Sequence, residues 1–119
     1  LKYCNAGHHA PLVFRRPTGE FHELTSRGML LGWLSHVQLE EKKFQLKSGD
    51  RLILFTDGII ECMNPSREQF GDERFRDFIR SHAGLPPPEF SSSLIDELRR
   101  YSVSGQFEDD LTMLVFDVH

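Results

Sequence analysis

The first half of the chain has short apolar runs separated by turn residues, a pattern that is typical of β-strands. Residues 1–5 and 11–15 predict two strands. Residues 20–24 predict a third strand, which closes a hairpin across the turn Pro17-Thr18-Gly19. Residues 37–46 space their apolar side chains widely and predict a strand with one exposed face.

Three further segments complete this half. Residues 28–34 are apolar and contain two glycines, so the segment fits either a strand or a packed loop. Ser48-Gly49-Asp50 predicts a turn, in which Asp50 is most simply a turn acid. Residues 51–56 form a continuous apolar run after Arg51, which predicts a strand buried on both faces.

The second half changes to helical spacing. Apolar and aromatic residues recur on one face of a first helix that Gly84 ends, namely Phe75, Phe78, Ile79 and His82. Pro88 is well placed to begin a second helix, whose apolar face comprises Phe90, Leu94, Leu98 and Tyr101. Residues 111–118 predict a final strand. The order of strands, two helices and a strand predicts an α+β fold with a mainly antiparallel sheet.

Composition limits the possible functions. The chain has 119 residues, 39% of them hydrophobic and 27% charged, so we expect one domain, residues 1–119, with a modest core. A formal charge of -4 and the lack of a basic run argue against a nucleic-acid surface. No apolar stretch approaches the roughly 20 residues that span a bilayer, and no signal peptide opens the sequence.

The two cysteines indicate a reducing setting. Cys4 and Cys62 do not form a metal-type pair, and two cysteines in a core of this size are more often buried free thiols. We therefore expect a cytoplasmic protein. Leu1 lies at the edge of a strand-like run, so we also expect the sequence to be part of a longer one.

Thr56-Asp57-Gly58 is the first segment that could carry chemistry, because it places a carboxylate at the end of an apolar strand. Two interpretations remain open. Asp-Gly between two apolar runs is a hairpin signal. Alternatively, a carboxylate held at a rigid strand end could bind a metal ion. The apolar run after Gly58 breaks at Glu61, which weakens the hairpin interpretation.

Asp109-Asp110 is the second such segment, directly before the last strand. Adjacent acids in a loop are usually only solvated. Their position next to a buried-looking strand favours a function, because a buried carboxylate needs a cation or hydrogen-bond donors. If the fold brings this strand end beside that of Asp57, the carboxylates would form a site for Mg²⁺ or Mn²⁺.

The remaining polar clusters are more ordinary. His8 and His9 lie in a segment with Asn5, Gly7 and Pro11, which predicts a turn. Neighbouring side chains on an extended segment point in opposite directions, so the two histidines do not suit one metal ion. The pairs Arg15-Arg16 and Arg99-Arg100 predict solvated faces.

Five motifs occur in an order that is typical of one family. They are Asn5-Ala6-Gly7-His8 with Pro11, the segment from Gly28 to Gly32, residues 49–61 around Thr56-Asp57-Gly58, Phe70-Gly71-Asp72-Glu73-Arg74, and Asp109-Asp110-Leu111-Thr112. This order resembles the bacterial SpoIIE-like branch of the metal-dependent type 2C (PPM) protein serine/threonine phosphatases. The resemblance extends from about residue 3 to residue 118.

The resemblance implies part of an α-β-β-α sandwich with mainly antiparallel sheets and two adjacent helices. It implies that Asp57 and Asp109 are ligands of Mn²⁺ or Mg²⁺, two ions in the complete domain. Thr56, Gly58 and Asp110 are implied as supporting residues, and His8 is implied to lie near the site without a ligand role. No catalytic residue is expected beyond a metal-activated water.

The resemblance also implies hydrolysis of phosphoserine or phosphothreonine in a protein, often an anti-sigma-factor antagonist, and an upstream sensory domain. The family's early aspartate-glycine motif is absent from these residues, so we expect the 119-residue chain alone to bind metal weakly, to have little activity and to be able to self-associate. Two alternatives stay open: a regulatory, partner-binding module with this fold, and a purely structural α+β domain.

Overall fold

The computed structural model describes residues 1–28, 35–36, 39–105, 107 and 110–119. It contains six strands and three helices in these ranges. In chain order they are β1 (Lys2–Tyr3), β2 (Leu12–Arg15), β3 (Glu20–Glu23), β4 (Lys42–Lys43), β5 (Asp50–Phe55), α1 (Gly58–Glu61), α2 (Gly71–Ser81), α3 (Pro87–Tyr101) and β6 (Met113–Asp117).

The strands form two sheets. β1 and β4 pair antiparallel, and the larger sheet has the order β3-β2-β5-β6. Its β2/β3 hairpin places Leu12 opposite Glu23, and β2 also pairs antiparallel with β5, with Leu12 opposite Ile53. The predicted α+β class, the hairpin and both long helices are confirmed.

The chain divides into two compact units. The first unit comprises Leu1–Leu54 and Asp117–His119. Its core forms around β2 and β5, which lie side by side, and β2 is buried over three consecutive residues. The buried residues there are Leu12, Val13, Phe14, Leu24 and Ile53, each at most 3% exposed.

The second unit comprises Phe55–Phe116 and is built around α2 and α3. The helical spacing predicted from the sequence produces its core, because one face of each helix is apolar. The buried residues of these faces are Phe75, Phe78, Ile79, Phe90, Leu94 and Leu98. Phe55 enters this core and meets Phe75 edge to face, with ring centroids 4.8 Å apart.

The structure differs from the predicted elements at residues 37–46 and at a short helix. The strand predicted over residues 37–46 is reduced to β4 and an isolated bridge between Leu39 and Gly28, with residues 37–38 outside the described part. The segment 29–34 also lies outside the described residues. The short helix α1 was not predicted, because its four residues are too few to show helical periodicity.

Asp50 is not a turn acid, as the sequence had suggested, and Arg15 is not a solvated side chain. Asp50 is the first residue of β5 and is fully buried. Arg15 Nε and Nη2 donate to Asp50 Oδ1 and Oδ2, both at 2.9 Å. These hydrogen bonds hold the pKa of Asp50 below its usual value although burial opposes the charge. Arg16 is also engaged, because its Nε donates to the carbonyl of Gly49.

A second buried ion pair lies within the predicted apolar strand. Arg51 is fully buried, and its Nε and Nη2 donate to Asp117 Oδ1 and Oδ2 at 2.7 and 3.0 Å. The hydrogen bonds from Arg51 lower the pKa of Asp117. This strand is therefore not apolar throughout, and its half-buried positions Leu52 and Leu54 show that it is not fully covered on both faces.

The cysteines and the remaining arginines follow the predictions in part. Both cysteines are free, and Cys62 is buried as expected, whereas Cys4 is exposed. Arg99 and Arg100 are exposed at the end of α3, as predicted. None of the helices in the described part of the chain is long and apolar enough to cross a membrane.

Candidate metal centre

Asp57 is separated from β5 by Thr56 and lies directly before α1, with helical backbone angles of φ -58° and ψ -23°. The chain enters α1 here instead of turning back on itself. The Ile59 N–H donates to the carbonyl of Thr56 at 3.2 Å, and the Glu61 N–H donates to that of Asp57 at 2.9 Å. The hairpin interpretation of Asp57-Gly58 is therefore wrong. Asp57 is exposed at the junction, and Gly58 is the first residue of α1.

Thr56 connects this junction to the segment before β6. Its N–H donates to the carbonyl of Thr112 at 3.0 Å. Its hydroxyl oxygen accepts a hydrogen bond from the Thr112 N–H at 3.1 Å. The same hydroxyl lies 3.4 Å from the carbonyl oxygen of Asp110. The residue before Asp57 and the residue after Asp109 are thus neighbours.

Thr56 serves both the sheet and the helix. In a regular antiparallel pair its carbonyl would accept from the opposite N–H. Here the carbonyl accepts from Ile59 in α1, and the hydroxyl takes its place opposite Thr112. Thr56 therefore links the end of β5 to the start of α1 through its hydrogen bonds. The sequence pattern gave no sign of this role, which belongs to the hydroxyl of the residue directly after β5.

The structure describes only one of the two adjacent acids of the second segment. Asp110 is exposed, and its backbone carbonyl faces the Thr56 hydroxyl. Asp109, the predicted ligand, lies outside the described residues. Among the residues that the structure describes, no three histidine, cysteine, aspartate or glutamate side chains are gathered in a way that could hold a metal ion. The described acids therefore provide only some of the ligands that a bound metal ion would need.

His8 lies in a closed turn, as its sequence context predicts. The Asn5 side chain accepts from the His8 N–H at 2.7 Å and donates to the His8 carbonyl at 2.8 Å. Gly7 has a positive φ of 83°, which favours glycine. The Asn5 N–H in turn donates to Ser26 Oγ at 2.6 Å. His8 belongs to the first compact unit, whereas Thr56, Asp57 and Asp110 belong to the second.

The donor chemistry of the acids fits a hard divalent cation. Carboxylate oxygens are the protein ligands that Mg²⁺ prefers, and they also suit Mn²⁺. The carboxylate of Asp57 is exposed at a strand end whose backbone is fixed by hydrogen bonds on both sides. This position offers a ligand in a defined place.

Comparison with known proteins adds independent information. The sequence matches the family model described as stage II sporulation protein E (SpoIIE) over residues 1–119. It is 27% identical over 115 residues to the phosphoserine phosphatase RsbU of Bacillus subtilis, covering 95% of this chain and 33% of that protein. It is 33% identical over 85 residues to stage II sporulation protein E of Bacillus subtilis, covering 71% and 10%. The chain thus spans a third or less of these curated relatives.

Solved structures give the same result. The SiaA-PP2C domain of Pseudomonas aeruginosa superposes with a TM-score of 0.74 at 26% identity, covering 92% of this chain and 43% of that chain. The phosphatase domain of the cell fate determinant SpoIIE from Bacillus subtilis, presoaked with Mn, gives a TM-score of 0.64 at 26% identity, covering 98% and 49%. The described fold is similar to part of each domain.

Proposed function

This chain belongs to the SpoIIE family, and on that premise we propose that it supplies part of the metal centre of a protein serine/threonine phosphatase. Its solved relatives are PP2C-type phosphatase domains, and its α+β fold is similar to part of each of these domains. In the proposal, Asp57 and Asp109 bind Mn²⁺ or Mg²⁺, whereas Thr56, Gly58 and Asp110 support them. The family resemblance also implies a supporting part for His8, without metal binding.

The observation that carries the proposal is the hydrogen bonding of Thr56 to the segment 110–112. Thr56 immediately precedes one proposed ligand, and Asp110 immediately follows the other. Two acids that are about 50 residues apart in sequence belong to segments that are neighbours in the fold. A solvated surface acid needs no such arrangement, whereas a shared cation does.

Bound divalent ions would lower the pKa of a coordinated water and neutralise phosphoryl oxygens. The residues of this chain would hold the ions through carboxylates, that of Asp57 at the junction of β5 and α1 and that of Asp109. Two carboxylates are too few for two octahedral ions. We therefore propose that the 119 residues by themselves bind metal weakly and hydrolyse little, and that other parts of the protein complete the ligand set.

The proposed substrate is a phosphoserine or phosphothreonine in a protein, such as an anti-sigma-factor antagonist. Support comes from the relative named phosphoserine phosphatase RsbU. The free thiols of Cys4 and Cys62 support a reducing, cytoplasmic location. An upstream sensory domain and self-association remain parts of the proposal.

The decisive experiment measures Mn²⁺ binding by calorimetry and hydrolysis of a phosphoserine peptide by the full-length protein. Asp57→Asn and Asp109→Asn should each weaken Mn²⁺ binding at least tenfold and remove most of the hydrolysis. Asp96→Asn, at an exposed acid of α3, is the matched control and should change neither. If the wild-type protein binds no Mn²⁺ and hydrolyses nothing, the alternative of a partner-binding module replaces the enzyme.

A further inference from the structure

A groove lies between α2 and α3, entirely within the second compact unit. It has a volume of about 350 Å³ and is open to solvent. This volume is at the lower end of the range for ligand sites, so the groove can hold one large side chain and part of its neighbours. Six of the residues that line this α2/α3 groove are Phe70, Asp77, Phe78, His82, Glu97 and Tyr101.

The apolar lining of the groove is aromatic. The His82 imidazole stacks on Phe78, with centroids 3.9 Å apart and planes inclined by 15°. Tyr101 meets Phe70 edge to face, with centroids 5.3 Å apart. The faces of aromatic rings attract cations. One such contact already exists at the groove, because the Arg74 guanidinium lies 5.3 Å from the centroid of the Tyr101 ring.

Two exposed carboxylates stand at the rim of the groove, Asp77 on α2 and Glu97 on α3. Each accepts a hydrogen bond through one oxygen from an arginine on its own helix. Arg80 donates to Asp77 at 3.0 Å, and Arg100 donates to Glu97 at 2.8 Å. Exposed pairs of this kind contribute little free energy. A cation that enters the groove therefore finds a carboxylate on each helix.

The neutral polar groups of the groove are also acceptors. The hydroxyls of Ser81 and Tyr101 each donate to a backbone carbonyl, at 2.8 and 3.0 Å, so their oxygens can only accept a further hydrogen bond. His82 Nδ1 lies 3.0 Å from the carbonyl oxygen of Phe78. That oxygen can only accept, so Nδ1 carries the proton and Nε2 of the neutral ring is an acceptor.

The basic residue of the groove is already engaged. Arg74 Nη1 donates to the carbonyls of Gln69 and Phe70, at 2.9 and 3.2 Å. Its Nη2 lies 3.4 Å from Glu68 Oε2. The lining residues that the structure describes thus combine two carboxylates with one guanidinium that is held elsewhere. A phosphate or another anion would be repelled by these carboxylates, whereas a cationic donor complements them.

We propose that the α2/α3 groove binds an arginine side chain of a partner protein. A guanidinium suits it better than an ammonium ion, because it is planar, stacks on aromatic rings and donates several hydrogen bonds in a fixed arrangement. The carboxylates of Asp77 and Glu97 accept from it, and the stacked rings of Phe78 and His82 offer it a flat surface.

The length of the groove favours a protein segment over a free cation. Its residues along α2 extend from Arg74 to His82, which is about 12 Å of helix. One guanidinium fills only part of this length. The buried rings of Phe70 and Phe78 provide apolar surface for a side chain next to the arginine. The partner is therefore a segment with arginine beside apolar residues. This inference does not depend on the proposed metal centre.

The test measures peptide binding to the full-length protein by calorimetry. The probe is an acetylated and amidated peptide of sequence Leu-Leu-Arg-Ala-Leu. A second peptide carries citrulline in place of arginine, which keeps the shape of the side chain but removes its charge. N-acetyl-arginine amide represents a free guanidinium. The protein variant is Asp77→Asn/Glu97→Gln, and the matched control Glu73→Gln/Asp96→Asn removes one exposed acid from each helix outside the groove.

We expect the arginine peptide to bind with a dissociation constant below about 1 mM. Citrulline in the peptide, or the Asp77/Glu97 double variant, should each weaken binding at least tenfold. The two changes together should weaken it little further, because both remove the same contact. The control variant should bind as the wild type does.

Several results would overturn the proposal. They are no binding of the arginine peptide, equal binding of the citrulline peptide, and unchanged binding by the double variant. Binding of N-acetyl-arginine amide as tight as that of the peptide would assign the groove to a free cation instead of a protein. If the double variant unfolds, Glu97→Gln alone should still weaken binding, and unchanged binding by that variant would count against the proposal.

The proposed function and this inference can fail separately. Absence of Mn²⁺ binding or of phosphopeptide hydrolysis would contradict the proposed function. Calorimetry with the arginine and citrulline peptides needs neither activity, so it would still decide whether the groove binds a guanidinium.

Discussion

Arg15 and Asp50 stand directly opposite each other on β2 and β5, and the arginine holds both oxygens of the buried carboxylate. The Lys47 N–H adds a third hydrogen bond to Asp50, at 2.9 Å. These contacts explain how a fully buried acid can begin a central strand. They also make the stability of the fold depend on pH.

We predict that the protein loses stability as the pH falls below about 4, the ordinary pKa of an aspartate in an unfolded chain. The pKa values of Asp50 and Asp117 are both lowered in the folded state. The unfolded chain therefore takes up protons first as the pH falls, which favours unfolding. The stabilisation is complete above the unfolded pKa and is lost as the pH falls through the lower folded values.

Urea unfolding between pH 2.5 and 7 tests this prediction. Asp50→Asn should lower stability at pH 7 and flatten the acid side of the profile. Asp96→Asn, on the exposed surface of α3, should leave the profile as it is. A profile of the Asp50→Asn variant as steep as that of the wild type would contradict the role given to this acid.

Thr56→Val should destabilise the protein by about 1 kcal/mol, because the Thr112 N–H loses its hydroxyl acceptor. The loss is moderate, since the contact is exposed and water can replace part of it. Thr56→Ser keeps the hydroxyl and should stay close to the wild type. If the proposed metal centre is correct, Val should also weaken Mn²⁺ binding more than Ser does. Equal unfolding free energies and equal Mn²⁺ affinities of the two variants would contradict the role given to the Thr56 hydroxyl.

Gly28→Ala should be strongly destabilising, by about 2–3 kcal/mol. A β-carbon at Gly28 would overlap the backbone oxygen of Asn5, so the backbone would have to move. Asn5 also closes the turn that carries His8. Gly84→Ala is the control, because no atom lies within 4 Å of its added β-carbon, and it should be neutral or slightly stabilising. Thermal unfolding of both variants measures the difference.

Arg67→Gly should be more stable than Arg67→Ala by about 1 kcal/mol. Arg67 has a φ of 62°, a conformation that costs energy for residues with a β-carbon. Its N–H donates to the carbonyl of Asn64 at 2.9 Å, so the loop between α1 and α2 holds the residue in this conformation. Urea denaturation of the two variants measures the difference in unfolding free energy. Equal values would contradict the prediction and would mean that the loop relaxes around the alanine.

Much of the fold was predictable because its signals are local. The face of α3 that carries Phe90, Leu94 and Leu98 repeats at helical spacing, and the same residues are buried. The hairpin of β2 and β3 follows from two alternating runs around a turn. In each case the residues that determine the element are within a few positions of one another.

The buried ion pairs were not predictable in this way. Arg15 and Asp50 are 35 residues apart, and Arg51 and Asp117 are 66 apart. The local sequence around one partner therefore does not predict the other. Without the partner, Asp50 after Ser48-Gly49 has the local appearance of a turn acid. Long-range pairing, and not local propensity, decides whether such a charge is buried.

The candidate site was predicted only in outline. The resemblance drew attention to Asp57 and Asp109, but the local sequence left a hairpin at Asp57-Gly58 open until the structure placed α1 there. The part played by Thr56 depends on Thr112, which is 56 residues away. A hydroxyl that replaces a backbone carbonyl leaves no trace in a hydrophobic pattern.

The junction at Thr56 has a consequence for how this region can change. Since Thr56 hydrogen-bonds both to Thr112 and to Ile59 in α1, there is no spare residue to absorb an insertion before Asp57. Adding a single amino acid there would rotate the carboxylate about the chain and separate it from the hydroxyl that fixes the neighbouring segment. We therefore expect the junction at Thr56 to tolerate side-chain substitutions but not insertions, whereas the loops beyond α1 can be lengthened.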